Sequence, residues 1–323
     1  MHLYIHIPYC ISKCDYCDFF SIPLLNKFPD KVPEEISVPD EYVDSLLNEI
    51  SFRIKSTETK TLSTVYIGGG TPSLLSPAQI CRIMNHIKNE TTLDDDAEIT
   101  IEMNPETVSE QKLDACAKNG INRISLGIQS LADSSLNCVH RHCSSKKAVT
   151  ALEMIKKKWK GHLSVDVIAG LPGSDSKQFL ETLNKLIEYN PDHFSLYSLC
   201  VEEETPLGKS VIEGPESFAE KITENSDRQW IEGRMFLKEN GFRQYEVSNF
   251  AKKGFEAVHN SSYWKQEDYL GCGAGACGTL YSFGEVLSDK LLDERVNRGD
   301  RPLDANRFRN GIRTTNTTNL ERY

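Results

Sequence analysis

Cys10, Cys14 and Cys17 give this sequence its most specific chemistry. They stand in His6-Ile-Pro-Tyr-Cys10-Ile-Ser-Lys-Cys14-Asp-Tyr-Cys17-Asp-Phe, a Cys-x3-Cys-x2-Cys spacing. Three thiolates so spaced can each take one iron of a cubane [4Fe-4S] cluster. The fourth iron then stays open, and an open iron can bind a substrate. A zinc ion would need a fourth Cys or His nearby, and none stands at an obvious spacing. Plain burial of three small thiols is the remaining reading.

The rest of the composition bounds what surrounds them. The chain has 323 residues and ten cysteines, with 37 basic and 47 acidic side chains and a net charge of −10. That charge does not favour a nucleic-acid or anionic-membrane partner. No run of eighteen apolar residues appears, and the start lacks the pattern of a signal peptide. The expected location is cytoplasmic, where clustered cysteines more often bind metal than form disulfides.

The elements that must position the cysteines read as alternating strands and helices. Apolar, β-branched runs begin at Leu3, Thr64, Glu98, Arg123, Leu163 and His193. Helical spacing runs from Tyr42 to Ile54, Ala78 to Ile87 and Ser109 to Ala117. Six βα units predict an α/β fold: a partial (β/α)6 barrel or a doubly wound sheet. IGGGTP, NPE and GLPG place loops at the carboxyl ends of strands, where such folds hold ligands. Residues 22–39 carry four prolines and read as a surface loop. A boundary near Pro215 divides residues 1–214, the barrel, from 215–323, a C-terminal extension. That extension is expected to hold a helix around Trp230–Glu239 and a strand near Gln244–Ser248. The polar stretch from Asp289 to Tyr323 shows no compact domain.

The ordered segments YIHIPYC, GGGTPS, EMNPE, RISLGIQS, VDVIAGLPG and HNSSYW resemble the HemN/HemW branch of the radical S-adenosylmethionine (SAM) superfamily. The likeness runs over roughly residues 2–280. It favours the partial barrel and implies a cluster on Cys10, Cys14 and Cys17 that holds SAM on its open iron. It implies SAM contacts from Tyr4, Tyr16, Gly69, Gly70, Thr71 and Glu102. Gln129, Arg141 and Asp166 match positions that touch a second SAM in the coproporphyrinogen oxidases of the branch. For Gly68–Thr71 the residues themselves allow either close ligand approach or a plain turn. For Glu102 they allow a ligand carboxylate or a salt-bridged one, and for Tyr4 a core aromatic.

Two departures separate the chain from the oxidases. Phe19 stands where they carry a fourth cysteine, and only nine residues precede Cys10. Both features resemble the heme-chaperone members, HemW. The resemblance then implies binding of heme or a porphyrin, with His259 of HNSSYW as heme ligand and Tyr263 and Trp264 against the macrocycle. A turn cap at His259–Asn260 with core aromatics is the structural alternative. The implied partners are a hemoprotein acceptor and an electron donor. The rival readings are oxidative decarboxylation of coproporphyrinogen III and a zinc or redox interaction protein without SAM chemistry. Cys138, His140, His142 and Cys143 have the donor types of a further metal site. Cys81 and Cys116 read as core. No side chain stands out as a general acid or base. The chain also reads as short of the family's helical C-terminal region.

Overall fold

The computed structural model describes residues 1–25, 36–281 and 312–323. Pro29, Pro33 and most of the polar stretch after Asp289 therefore lie outside the described residues.

The first strand, β1 (His2–Ile7), leads into a short β2 (Tyr9–Cys10), which pairs with β3 (Ile22–Pro23). Then come α1 (Asp40–Ser56), β4 (Thr61–Gly69), α2 (Pro77–Glu90), β5 (Thr92–Met103) and α3 (Glu110–Lys118). β6 (Arg123–Gln129), α4 (Asp133–Cys138), α5 (Ser145–Lys158), β7 (His162–Ala169), α6 (Ser176–Ile187) and β8 (His193–Ser198) follow. The end holds α7 (Pro206–Glu213), α8 (Glu216–Glu239), β9 (Arg243–Gln244), β10 (Asn249–Ala251), α9 (Val258–Trp264), β11 (Tyr269–Cys272), β12 (Cys277–Leu280) and β13 (Ile312–Thr315).

Strand order separates the two architectures that the pattern allows. The six long strands lie side by side as β1-β4-β5-β6-β7-β8, all parallel and in chain order. A doubly wound sheet reverses its order at a switch point; this one does not. It is a partial barrel, with no pairing between the outermost strands β13 and β9 among the described residues. Every carboxyl end of the six strands therefore opens on one rim. Buried runs such as RISLGI in β6 reflect cover on both faces.

Local chemistry starts the helices where each loop leaves the rim. Ser76 with Gln79 and Asp175 with Gln178 form capping boxes at α2 and α6. Ser109, Ser144 and Thr205 cap α3, α5 and α7.

The segment after Pro215 is continuous with the barrel. α8 spans Glu216–Glu239, longer than the apolar spacing near Trp230 predicts, and packs on α6, β7 and β8. Gly170 permits this: a Cβ there would meet Ser226 at 2.4 Å, and its φ of +87° favours glycine. Gln244–Ser248 is mainly the turn between β9 and β10 rather than a strand. β10 extends the sheet beside β8, while β11, β12 and β13 extend it beside β1. Cys116 is fully buried, whereas Cys81 is half-buried beside Asn85.

Glu98 ties the extension to the barrel floor. Its carboxylate accepts from the amides of Val258 and His259 at 3.0 and 2.9 Å and pairs with Arg123 at 3.6 Å. Glu98→Ala leaves a buried guanidinium unpaired and strips the start of α9 of its acceptor. We expect a loss of about 3–5 kcal/mol in urea denaturation. A loss under about 1 kcal/mol contradicts this role.

Candidate functional site

The barrel mouth is a cavity of about 440 Å³. Cys10, Cys14, Tyr16, Cys17, Gly69, Gly70, Thr71, Glu102, Gln129, Arg141 and Asp166 all line it. The mouth thus gathers eleven of the thirteen sequence-predicted site residues; Tyr4 and His259 lie elsewhere.

The cysteine loop is built by strand ends and backbone bonds. Cys10 ends β2, and its carbonyl accepts from Leu24 N at 2.8 Å. Cys17 N donates to Cys14 O at 3.1 Å. Thr71 Oγ1 donates to Cys10 Sγ at 3.5 Å and accepts from Asn104 Nδ2 at 3.0 Å. Burial raises the Cys10 thiol, and pushes Cys17 up to about 11. Metal uptake by these thiols therefore releases protons. Among the described residues no three His, Cys, Asp or Glu side chains come close enough to hold a single metal ion. That holds also for Cys138, His140, His142 and Cys143. His140 pairs with Asp15 on the surface, Cys143 is buried against Ser144 O, and Cys138 is exposed.

The glycines after β4 press on this loop. A Cβ on Gly70 would meet Tyr9 O at 2.7 Å and Cys10 Sγ at 2.9 Å. Gly69 adopts a φ of +118° and donates its amide to Glu102 Oε2 at 3.1 Å. Tyr66 OH donates to the other oxygen, Oε1, at 2.7 Å. Burial dominates these donors and the nearby Asp166 adds to it, pushing the Glu102 carboxyl up to about 7. Asp166 is also raised by burial, although Ser125 and Ser195 hydrogen-bond to it.

Arg141 is 8% exposed and crosses the mouth. It donates to Tyr16 OH at 3.2 Å and Asn104 Oδ1 at 3.2 Å, and to the carbonyl of Gly127. Its Nη1 lies 3.8 Å from Cys14 Sγ. Arg141 Nε and Gln129 Oε1 are buried without a partner. Unpaired polar atoms around a cavity of this size fit a polar ligand. Gln129 has a φ of +65°, an uncommon backbone state that aims it inward at the end of β6.

Tyr4 and His259 lie outside the mouth. Tyr4 lines a second cavity of about 180 Å³ beneath the mouth, and its hydroxyl bonds His6 Nδ1 at 2.8 Å. As placed, it does not reach the mouth that would hold SAM. His259 is 1% exposed, and both ring nitrogens are engaged, by Thr64 Oγ1 at 2.6 Å and Tyr263 OH at 2.7 Å. It presents no free imidazole to a heme iron. Trp264, read as core in the structural alternative, is 58% exposed. Sequence reading missed Tyr66 and Asn104, which hold Glu102, Thr71 and Arg141. Tyr66 lies two residues before GGG, the one signal that places it near the mouth.

A sequence model of the Radical SAM superfamily matches residues 4–186. The heme chaperone HemW of Buchnera aphidicola from Schizaphis graminum is 35% identical over 295 residues, 91% of this chain and 74% of that protein. This chain belongs to the radical SAM superfamily, in its HemW family. HemW of Escherichia coli is 34% identical over 89% of this chain and 72% of its own length. The mouse mitochondrial "radical S-adenosyl methionine domain-containing protein 1" is 36% identical over 87% of this chain and 61% of its own. Among solved structures, coproporphyrinogen III oxidase (HemN) of E. coli shares the fold. Its TM-score is 0.68 at 24% identity, over 86% of this chain and 64% of that one. The family carries a [4Fe-4S] cluster and SAM, and the donors at the mouth suit both.

Two outcomes follow. Gly70→Ala displaces Cys10, so iron bound after anaerobic reconstitution should fall well below wild type; equal iron content contradicts the close packing. Glu102 binds its proton more tightly folded than unfolded, because its folded pKa of about 7 exceeds the ordinary 4.5. Its contribution to stability is complete below about pH 4.5 and is lost as pH rises through about 7. Melting temperatures across that window should fall in wild type and flatten in Glu102→Gln.

Proposed function

We propose that this radical SAM protein is a heme chaperone of the HemW type, binding heme and passing it to a hemoprotein in the cytoplasm. The observation that carries this is the 35% identity with HemW over 91% of the chain. The mouth agrees with it: Cys17-Asp18 is followed by Phe19, which is 69% exposed on the cavity rim rather than a fourth cysteine.

In this reading Cys10, Cys14 and Cys17 hold the cluster. Gly69, Gly70, Thr71 and Glu102 take the charged and hydroxylated parts of SAM through amides and a carboxylate. Gln129 and Arg141 supply the unpaired acceptor and donor, and Tyr16 and Asp166 complete the polar wall. Cluster and SAM together supply one-electron chemistry, fed by an electron donor. Glu102, poised near neutrality, can hold a proton at the mouth.

Heme needs a different surface. The inner cavity of about 180 Å³ is below the 300–1,000 Å³ typical of cofactor pockets. α9 turns Val258 and Trp264 outward, with one edge of Tyr263 beside them, and we place a porphyrin face there. The oxidase reading is the rival, because HemN shares the fold.

One anaerobic experiment tests both, with reductant, SAM and coproporphyrinogen III in one arm and heme titration in the other. We expect heme binding without decarboxylation, and a roughly tenfold or greater loss of heme affinity in Trp264→Ala. Protoporphyrinogen formed in step with SAM cleavage establishes the oxidase instead.

A further inference from the structure

We propose that His259 is a positioning residue of the SAM site, which acts through Tyr66 to fix the carboxylate of Glu102. The inference rests on the reading of Glu102 as a SAM contact.

A continuous set of contacts runs from the barrel floor to the mouth. Glu98 holds the backbone amide of His259 at 2.9 Å. Thr64 Oγ1 and Tyr263 OH then hold the two ring nitrogens, so the imidazole has one orientation. Thr64 is itself bonded to His2 Nδ1 at 2.9 Å, and His2 Nε2 to Glu267 at 2.9 Å. The His259 ring stacks on Tyr66, with centroids 5.1 Å apart and planes at 23°. Tyr4 lies near-parallel to Tyr66 as well, at 6.2 Å and 27°. Tyr66 OH then donates to Glu102 Oε1.

The path has little slack. A Cβ on Gly68 would sit 2.8 Å from the Tyr66 ring and 3.0 Å from Glu102 Oε1. If the Tyr66 ring tilts, the hydroxyl leaves the carboxylate. Burial and the neighbouring His2 hold the His259 pKa at about 3, so the ring stays neutral. A neutral imidazole donates from one nitrogen and accepts at the other, which suits two hydroxyl partners. HNSSYW thereby gains a use that needs no metal.

The titratable groups that face Glu102 are Tyr4 on β1, Tyr66 on β4, Asp166 on β7, Tyr197 on β8 and Tyr263 on α9. Two readouts separate positioning from packing. One is the titration midpoint of the Glu102 carboxyl, from infrared difference spectra of the cluster-free protein against Glu102→Gln. The other is SAM affinity of the reconstituted protein.

Tyr66→Phe removes a donor that favours the ionised form, so the midpoint should rise above about 7. SAM affinity should fall about tenfold. His259→Ala should move both readouts in the same direction. His259→Phe, which keeps a ring on Tyr66 and guards against simple misfolding, should restore most of the midpoint. A wild-type midpoint and wild-type SAM affinity in His259→Ala, with only a lower melting temperature, overturns the proposal. Unchanged SAM affinity in Glu102→Gln removes the SAM role of Glu102, and the midpoints then decide the positioning claim alone.

Discussion

Hydrogen bonding inside a polar barrel is the constraint on which the site depends. A lumen filled by apolar side chains would need no partners, but this one holds histidines, hydroxyls, the carboxylates of Glu98, Glu102 and Asp166, and the guanidiniums of Arg123 and Arg141. Buried polar groups must find one another or water. Here neutral imidazoles make the match. Burial lowers His2, His6, His193 and His259, and each then bonds a hydroxyl: Thr64, Tyr4, Ser164 with Tyr245, and Thr64 with Tyr263. These pairs leave Thr100 Oγ1, Arg123 Nη2 and Asn260 Oδ1 without partners around the inner cavity, and Gln129 Oε1 and Arg141 Nε without partners at the mouth. Unpartnered polar atoms therefore stand at both depths of the barrel, beside different neighbours.

That division gives the chain its layered chemistry. At the mouth, burial raises the Cys10 and Cys17 thiols and the Glu102 and Asp166 carboxyls, and the close approach of Gly70 and the Thr71 hydroxyl shape the space around Cys10. One layer down, Tyr66 and Gly69 hold Glu102 from two sides. Lower still, Glu98 joins Arg123 to the start of α9, so the C-terminal segment seals the barrel rather than hanging from it.

Much of this was legible in the sequence. The six strands announced themselves because β-branched runs alternated with helical spacing, and the carboxyl-end loops carried glycine and proline. The cysteine spacing located the mouth. Depth was not legible. Alternation tells which face Tyr4 occupies, but not that it lies below the mouth, bonded to His6. The fate of HNSSYW was equally hidden. A short helix can turn its histidine either way, and only the distant Glu98 and Thr64 pull His259 inward while leaving Trp264 outside. The packing of α8 on α6, β7 and β8 was hidden as well, because its polar face gives little apolar spacing before Trp230.

Everything at the mouth turns on three cysteines proposed to hold a cubane cluster whose remaining iron is open to SAM. Electron paramagnetic resonance of the reduced, anaerobically reconstituted protein, with and without SAM, tests it most directly. We expect a [4Fe-4S]+ signal that changes when SAM is added, and its loss when Cys10, Cys14 and Cys17 are replaced together by alanine. A colourless, zinc-loaded protein, or a cluster signal indifferent to SAM, would contradict it.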